Sequence, residues 1–252
     1  MNLEKQYLDM ILVPTGLIIM FGYHLFLLYR VLRLPHTTVI GYENHNKMAW
    51  VERMLQGGPT NTALAIQVIS SNVTASTYLA SLSITLSSII GTWVGSSSSR
   101  VFMDTVVYGD RSPSTSSVKF ITLLSVFLVA FTSFVQSARY FLHASFLMST
   151  PDSDIPVSYV QKAVIRGGNF WSVGLRSLYF ATTLVLWIFG PIPMFACSLS
   201  TVVVLHFLDS NSTPLHKYRP PLGQGPGKTM RQQQNNKTQV THPMSTQSSN
   251  IS

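Results

Sequence analysis

Long runs without a formal charge alternate with short polar connections along this chain. Met10–Tyr29 is the first. The second lies inside the charge-free stretch Met54–Ser99, and the third starts at Lys119 and runs to about Gln136. The last, Ser177–Leu208, continues for about 32 residues, well beyond the ~20 apolar residues that cross a hydrocarbon core. Runs of this length and composition predict membrane-spanning helices, because only a helix satisfies every backbone group inside lipid. The expected fold is all-α: a polytopic transmembrane bundle of four spans, at about 10–29, 61–93, 119–137 and 177–208. Residues 1–209 form the transmembrane domain. Residues 210–252 are rich in Asn, Gln, Ser, Thr, Pro and Gly and read as a disordered polar tail.

The last span is interrupted by Gly190-Pro191-Ile192-Pro193. We read Gly190, Pro191 and Pro193 as a kink in one long helix, since proline removes a backbone donor and clashes with the preceding turn. The freed carbonyls are then expected to face hydroxyls of the second span. The alternative, two short spans Phe170–Phe189 and Ile192–Leu208, would bury Arg176 and leave almost no loop. Upstream, Gly167-Gly168-Asn169 reads as a second kink.

The second span carries an internal pattern. Gln67, Ser70, Thr74, Thr77, Ser81, Thr85, Ser88 and Thr92 recur every three or four residues and form one polar stripe. Asn72, Ser76, Ser83 and Ser87 form a second on the opposite face. Such hydroxyls line a pathway in some membrane proteins, and in others they let helices approach closely.

Composition sharpens this picture. Charged residues make up 10% of the chain, and the net charge is +8. The basic residues are spread over loops and tail without a nucleic-acid-reading motif, so no nucleic-acid partner is expected. Basic loops of membrane proteins instead set topology. An even number of spans puts both termini on one face. Arg30 and Arg33 follow the first span, so that face is expected to lie outside or in a lumen. The sequon at Asn236 would then be a glycosylation acceptor, with Asn211 and Asn250 as further sequons. The single cysteine, Cys197, excludes an internal disulfide.

Motifs for phosphate loops, zinc hydrolases and nucleophile elbows are not found, so no catalytic residue, metal or cofactor is assigned and the protein is not expected to be an enzyme. No carboxylate lies inside an expected span, which argues against a proton-coupled carrier. The candidate polar residues are few. His24 is an ionisable group within the first span. Ser133, Gln136, Tyr140 and His143 share a face where the third span leaves the membrane, with Arg139 beside them, and Arg176 stands at the mouth of the last. We expect Arg139 and Arg176 to form one basic rim for an anion or a lipid headgroup.

Three strings are distinctive: "YLDMILVPTGLIIMFGYHLFLLYRVLRLPHTTVIG", "VQSARYFLHASFL" and "RGGNFWSVGLRSLYFATTLVLWIFGPIPMF". Through them the chain resembles a plant family of multi-spanning membrane proteins known as domain of unknown function "five-nine-nine". The resemblance covers roughly residues 6–210 and implies a four-span architecture without an assigned activity. The residues together point to a multi-pass integral membrane protein whose partners are the lipid bilayer and a homo-oligomer or other membrane proteins. We expect a non-catalytic scaffold or accessory subunit. The alternative is a small oligomeric channel or carrier for a neutral or anionic solute.

Overall fold

A computed structural model of the chain describes residues 2–95, 113–150 and 155–213. The proposed tail beyond residue 213 and the Ser-rich connection between the second and third spans lie outside the described residues. In chain order the elements are α1 (Asn2–Arg33), a 3₁₀ turn (Pro35–Thr37), α2 (Val39–Gln56), α3 (Pro59–Gly95), α4 (Pro113–Met148), α5 (Val157–Phe189) and α6 (Pro191–Asp209). Five of these helices are long and apolar enough to cross a membrane: 9–33, 59–92, 114–148, 157–189 and 191–209.

The expected count of four is therefore corrected to five. Gly190 does not kink one helix but ends one and begins another. Its φ of 150° and ψ of 171° lie where an L side chain is strained, so glycine is required there. Pro191 opens α6 at its first position, where a missing N–H costs nothing. The chain then reverses. Thr183 meets Cys197 (3.8 Å between Oγ1 and Sγ) and Arg176 meets Asp209, pairs placed on either side of Gly190. Ile188 and Met194, on either side of the break, join a core with Val13 of α1 and Phe120, Leu123 and Phe127 of α4, against which Leu86 and Ile90 of α3 pack, while the main hydroxyl stripe of α3 stays exposed and does not meet the break.

α5 runs as one continuous helix through Gly167 and Gly168. Their missing side chains admit neighbours. A Cβ on Gly167 would lie 3.0 Å from the Phe141 ring, and one on Gly168 would lie 2.7 Å from Lys47 Nζ. The Gly167 carbonyl accepts a hydrogen bond from Ser137 Oγ at 2.8 Å, and Ser137 in turn meets Ser76 of α3 at 3.1 Å. One buried hydroxyl thus ties α3, α4 and α5. Gly174 is the tightest approach between α4 and α5, with a Cβ position 2.7 Å from Phe134.

Helix directions follow from these contacts. α3, α4 and α5 run alternately up and down, and α6 returns beside α1, parallel to it. Asp9 of α1 lies beside Trp187 of α5, and Tyr23 of α1 beside Asp209 of α6. The start of α1 and the end of α6 therefore stand at opposite ends of the bundle. α6 has 19 residues, about 28 Å, which matches a ~30 Å hydrocarbon core. α3, α4 and α5 have 37, 36 and 33 residues and are far longer than a bilayer requires. Their surplus lies on the α2 side, where it makes a second core: Val51, Ala65, Ile69, Phe141, Ala144, Met148, Val160, Ala163 and Val164. The helical bundle is thus a membrane layer with a helical platform standing on one face. Thr38 caps α2, its Oγ1 accepting from Gly41 N. Asn211 N donates to the Thr37 carbonyl at 3.1 Å, fastening the end of α6 to the platform.

Two outcomes are expected. Reporter tags at the two termini should read out from opposite sides of the membrane in a protease-protection assay; readout from the same side would contradict five crossings. Gly174→Ala should destabilise the bundle by about 1–3 kcal/mol through overpacking against the fully buried Phe134, as a lowered midpoint in thermal unfolding of the purified protein.

Candidate functional site

The polar groups of the membrane layer gather where α1, α5 and α6 meet. Arg176 Nη2 donates to Asp209 Oδ1 at 2.5 Å, and Tyr23 OH donates to Asp209 Oδ2 at 2.6 Å. One carboxylate thus joins three helices. The side chains of Arg176 and Asp209 are only 17% and 11% exposed. In such a setting the pair must stay intact, because stranding one buried charge costs several kcal/mol.

Two atoms at this junction have no hydrogen-bond partner among the described residues: Arg176 Nη1 and His24 Nε2. Both are buried. His24 Nδ1 faces the Met20 carbonyl at 2.7 Å. A carbonyl only accepts, so Nδ1 carries the proton, and in the neutral ring Nε2 is an acceptor. The ring rests on Phe180, centroid to centroid 4.8 Å.

His24 and Arg176 line the same cavity, about 430 Å³ in volume, between α1 and α5 and under the start of α2. Its walls are otherwise mainly aliphatic and aromatic, including Leu27, Leu28, Val31, Val173 and Phe180. Leu28 and Val173 are half exposed, so the cavity opens sideways between the two helices. This size and polarity are typical of small-ligand sites.

The remaining candidates lie elsewhere. Gln136, Arg139 and His143 follow one another along α4 and do not line the cavity; Arg139 and His143 are exposed. Arg139 stands beside Tyr140, which stacks on Phe170 and carries Arg166 over its ring, whereas Arg176 turns toward α6. The two arginines therefore have different neighbours. Gly190, Pro191 and Pro193 form the turn at the far end of the bundle.

Sequence reasoning missed Asp209 and Tyr23. A signal existed: Asp209 is the only acid after Asp154, and Arg176 is the only Lys or Arg between Arg166 and Lys217. A lone acid ending one apolar run and a lone base inside another are natural partners in lipid. At the opposite end a second polar group was also missed. Trp187 Nε1 donates to Asp9 Oδ1 at 3.3 Å, and Lys119 Nζ lies over the Trp187 ring at 5.4 Å. Among the described residues no three His, Cys, Asp or Glu side chains come together as a metal site.

The five apolar crossing helices and the ion pair buried between them define an integral membrane protein. A model of the family described as "Protein of unknown function, DUF599" matches residues 11–214, and the chain belongs to that family. No curated protein and no solved structure matches the chain.

Asp209→Asn should cost about 3 kcal/mol of stability, because the Arg176 charge loses its counter-ion. Tyr23→Phe should cost about 1 kcal/mol. The double variant Arg176→Met with Asp209→Leu should recover most of the Asp209→Asn loss in equilibrium unfolding, and failure to recover would show that the pair is not the principal tie.

Proposed function

We propose that the chain is a non-catalytic membrane scaffold or accessory subunit that associates with other membrane helices through the outer face of α3. The observation that carries this reading is the stripe Gln67, Ser70, Thr74, Thr77, Ser81, Thr85, Ser88 and Thr92. Every one of these residues is exposed, while α3 packs onto α4 through its opposite side, with Ser76, Ser83 and Ser87 buried. The hydroxyls of Thr74, Thr77, Thr85, Ser88 and Thr92 bond back to carbonyls of their own helix at 2.8–3.0 Å. These five hydroxyls are satisfied within the helix, and the stripe has the four-residue spacing that lets helices approach closely in lipid, with the exposed Tyr78 beside it as an aromatic contact. A second copy presents the same stripe, so a two-fold axis along the membrane normal makes it self-complementary.

The charge distribution supports an orientation. Of the 17 Lys and Arg, chain order leaves only Lys5, Arg100, Arg111 and Lys119 on the side of the Gly190 turn. Under the positive-inside rule the platform side, with α2 and the tail that follows α6, faces the cytoplasm. The start of α1 then lies outside, and the sequons at Asn211, Asn236 and Asn250 remain unmodified.

Cysteine at Ser81, Thr85 or Ser88, in a Cys197→Ala background, tests the association in native membranes. Oxidation should link two copies through at least one of these sites. If none crosslinks, association through α3 is wrong. If the same cysteines react with a water-soluble, membrane-impermeant thiol reagent, the stripe lines an aqueous path, and the channel reading replaces the scaffold.

A further inference from the structure

We propose that the cavity between α1 and α5 binds a single-chain amphiphile whose small head carries an O–H group, a long-chain alcohol, a monoacylglycerol or an undissociated fatty acid. This inference does not rest on the association through α3. It rests on two side chains that line one largely apolar cavity and hold buried hydrogen-bonding atoms with no partner among the described residues.

The two atoms ask for different things. Arg176 Nη1 is a donor without an acceptor, and His24 Nε2, with its partner nitrogen committed to Met20, is an acceptor without a donor. A single hydroxyl answers both: its oxygen accepts from the guanidinium and its proton goes to the imidazole. An undissociated carboxyl does the same with its two oxygens. A sulfonate or a fully ionised phosphate offers acceptors only and leaves Nε2 unanswered. Such an anion also adds negative charge beside Asp209, which already balances Arg176 at 2.5 Å. A quaternary ammonium head brings a cation against the guanidinium and is excluded on the same ground.

The rest of the cavity fits a hydrocarbon chain. Leu27, Leu28, Val31 and Val173 offer an apolar wall, and about 430 Å³ lies within the range of small-ligand pockets. The half-exposed Leu28 and Val173 make the mouth lateral, so a lipid-dissolved ligand enters without crossing water. His24 lies nine residues before Arg33, about 13 Å below the end of α1. A head held that deep must be small.

The full-length protein in phosphatidylcholine vesicles should be photolabelled by a diazirine-bearing long-chain alcohol at peptides containing Leu28 and Val173. Unlabelled monoacylglycerol and protonated fatty acid should compete; a long-chain sulfonate, a quaternary ammonium amphiphile and an alkane should not. His24→Phe should lower labelling about tenfold, the effect of losing one good hydrogen bond, and Val173→Trp should abolish it by filling the cavity. Neither variant touches the Arg176–Asp209 pair, and a thermal unfolding midpoint unchanged from the parent shows that the fold survives. Equal competition by the sulfonate overturns the requirement for an O–H head. Labelling spread evenly over the exposed helices and indifferent to Val173→Trp overturns the site.

Discussion

A guanidinium in a lipid-facing helix must find an anion, and the arrangement of this bundle follows from where Arg176 finds it. The carboxylate is Asp209, at the far end of the next helix, and the two can meet only if α6 doubles back on α5. Doubling back with no loop demands a residue that tolerates φ of 150°, which Gly190 supplies, and a following helix that starts at once, which Pro191 supplies. Once α6 lies antiparallel to α5, its exposed flank is free for α1, and Tyr23 closes the third side of the same carboxylate. Asp9 and Trp187 make the corresponding tie at the other end of α1. The five crossings, the opposed termini and the cavity beside Arg176 all follow from this one ion pair.

Within α3 the distribution of polar residues decides less than their size. Both hydroxyl faces were legible as period-3.6 stripes in the sequence. Which one turns inward was not, because in lipid a serine gains little by burial and the choice falls to packing. The inward face is the one carrying Ala80 beside Ser76 and Ser83, small enough to admit Phe134, Ala130 and Ser137 of α4. The longer stripe, with threonine at four of its eight positions and Gln67 at its start, stays outside. Length and apolarity likewise made each helix legible. They could not show that α3, α4 and α5 overrun the bilayer on one side only, since the surplus becomes a second core when Val51 of α2 packs on Val160 and Val164.

The reading of Gly190-Pro191-Ile192-Pro193 illustrates the same limit. A kink and a reversal share one local signature, a glycine and prolines inside an apolar run, and they differ only in a contact between Arg176 and Asp209, 33 residues apart. His24 and Arg176 were each visible as unusual, a titratable group and a base within apolar helices. Their convergence was hidden, because it depends on α1 lying against α5, which in turn depends on the reversal. Gly167 and Gly168 pointed equally well to a break. Phe141 and Lys47 occupy the space above them, so their purpose is close approach between helices.

The cavity occupies the seam between the two layers. Leu27, Leu28 and Phe180 belong to the membrane layer, while Ile40 and Asn169 belong to the platform, where Asn169 accepts from Asn44 Nδ2. Filling it therefore bears on how α2 sits on α5 as well as on α1. Leaving it unfilled strands a donor and an acceptor at a cost of about 1–3 kcal/mol each, set against a total stability of only about 5–15 kcal/mol. A protein that packs Ser137, Ser76 and Gly167 into a complete hydrogen-bond chain elsewhere in the same bundle has the means to satisfy these two atoms internally. That it surrounds them instead with Leu27, Val31 and Phe180 puts the polar pair at the service of something outside the chain.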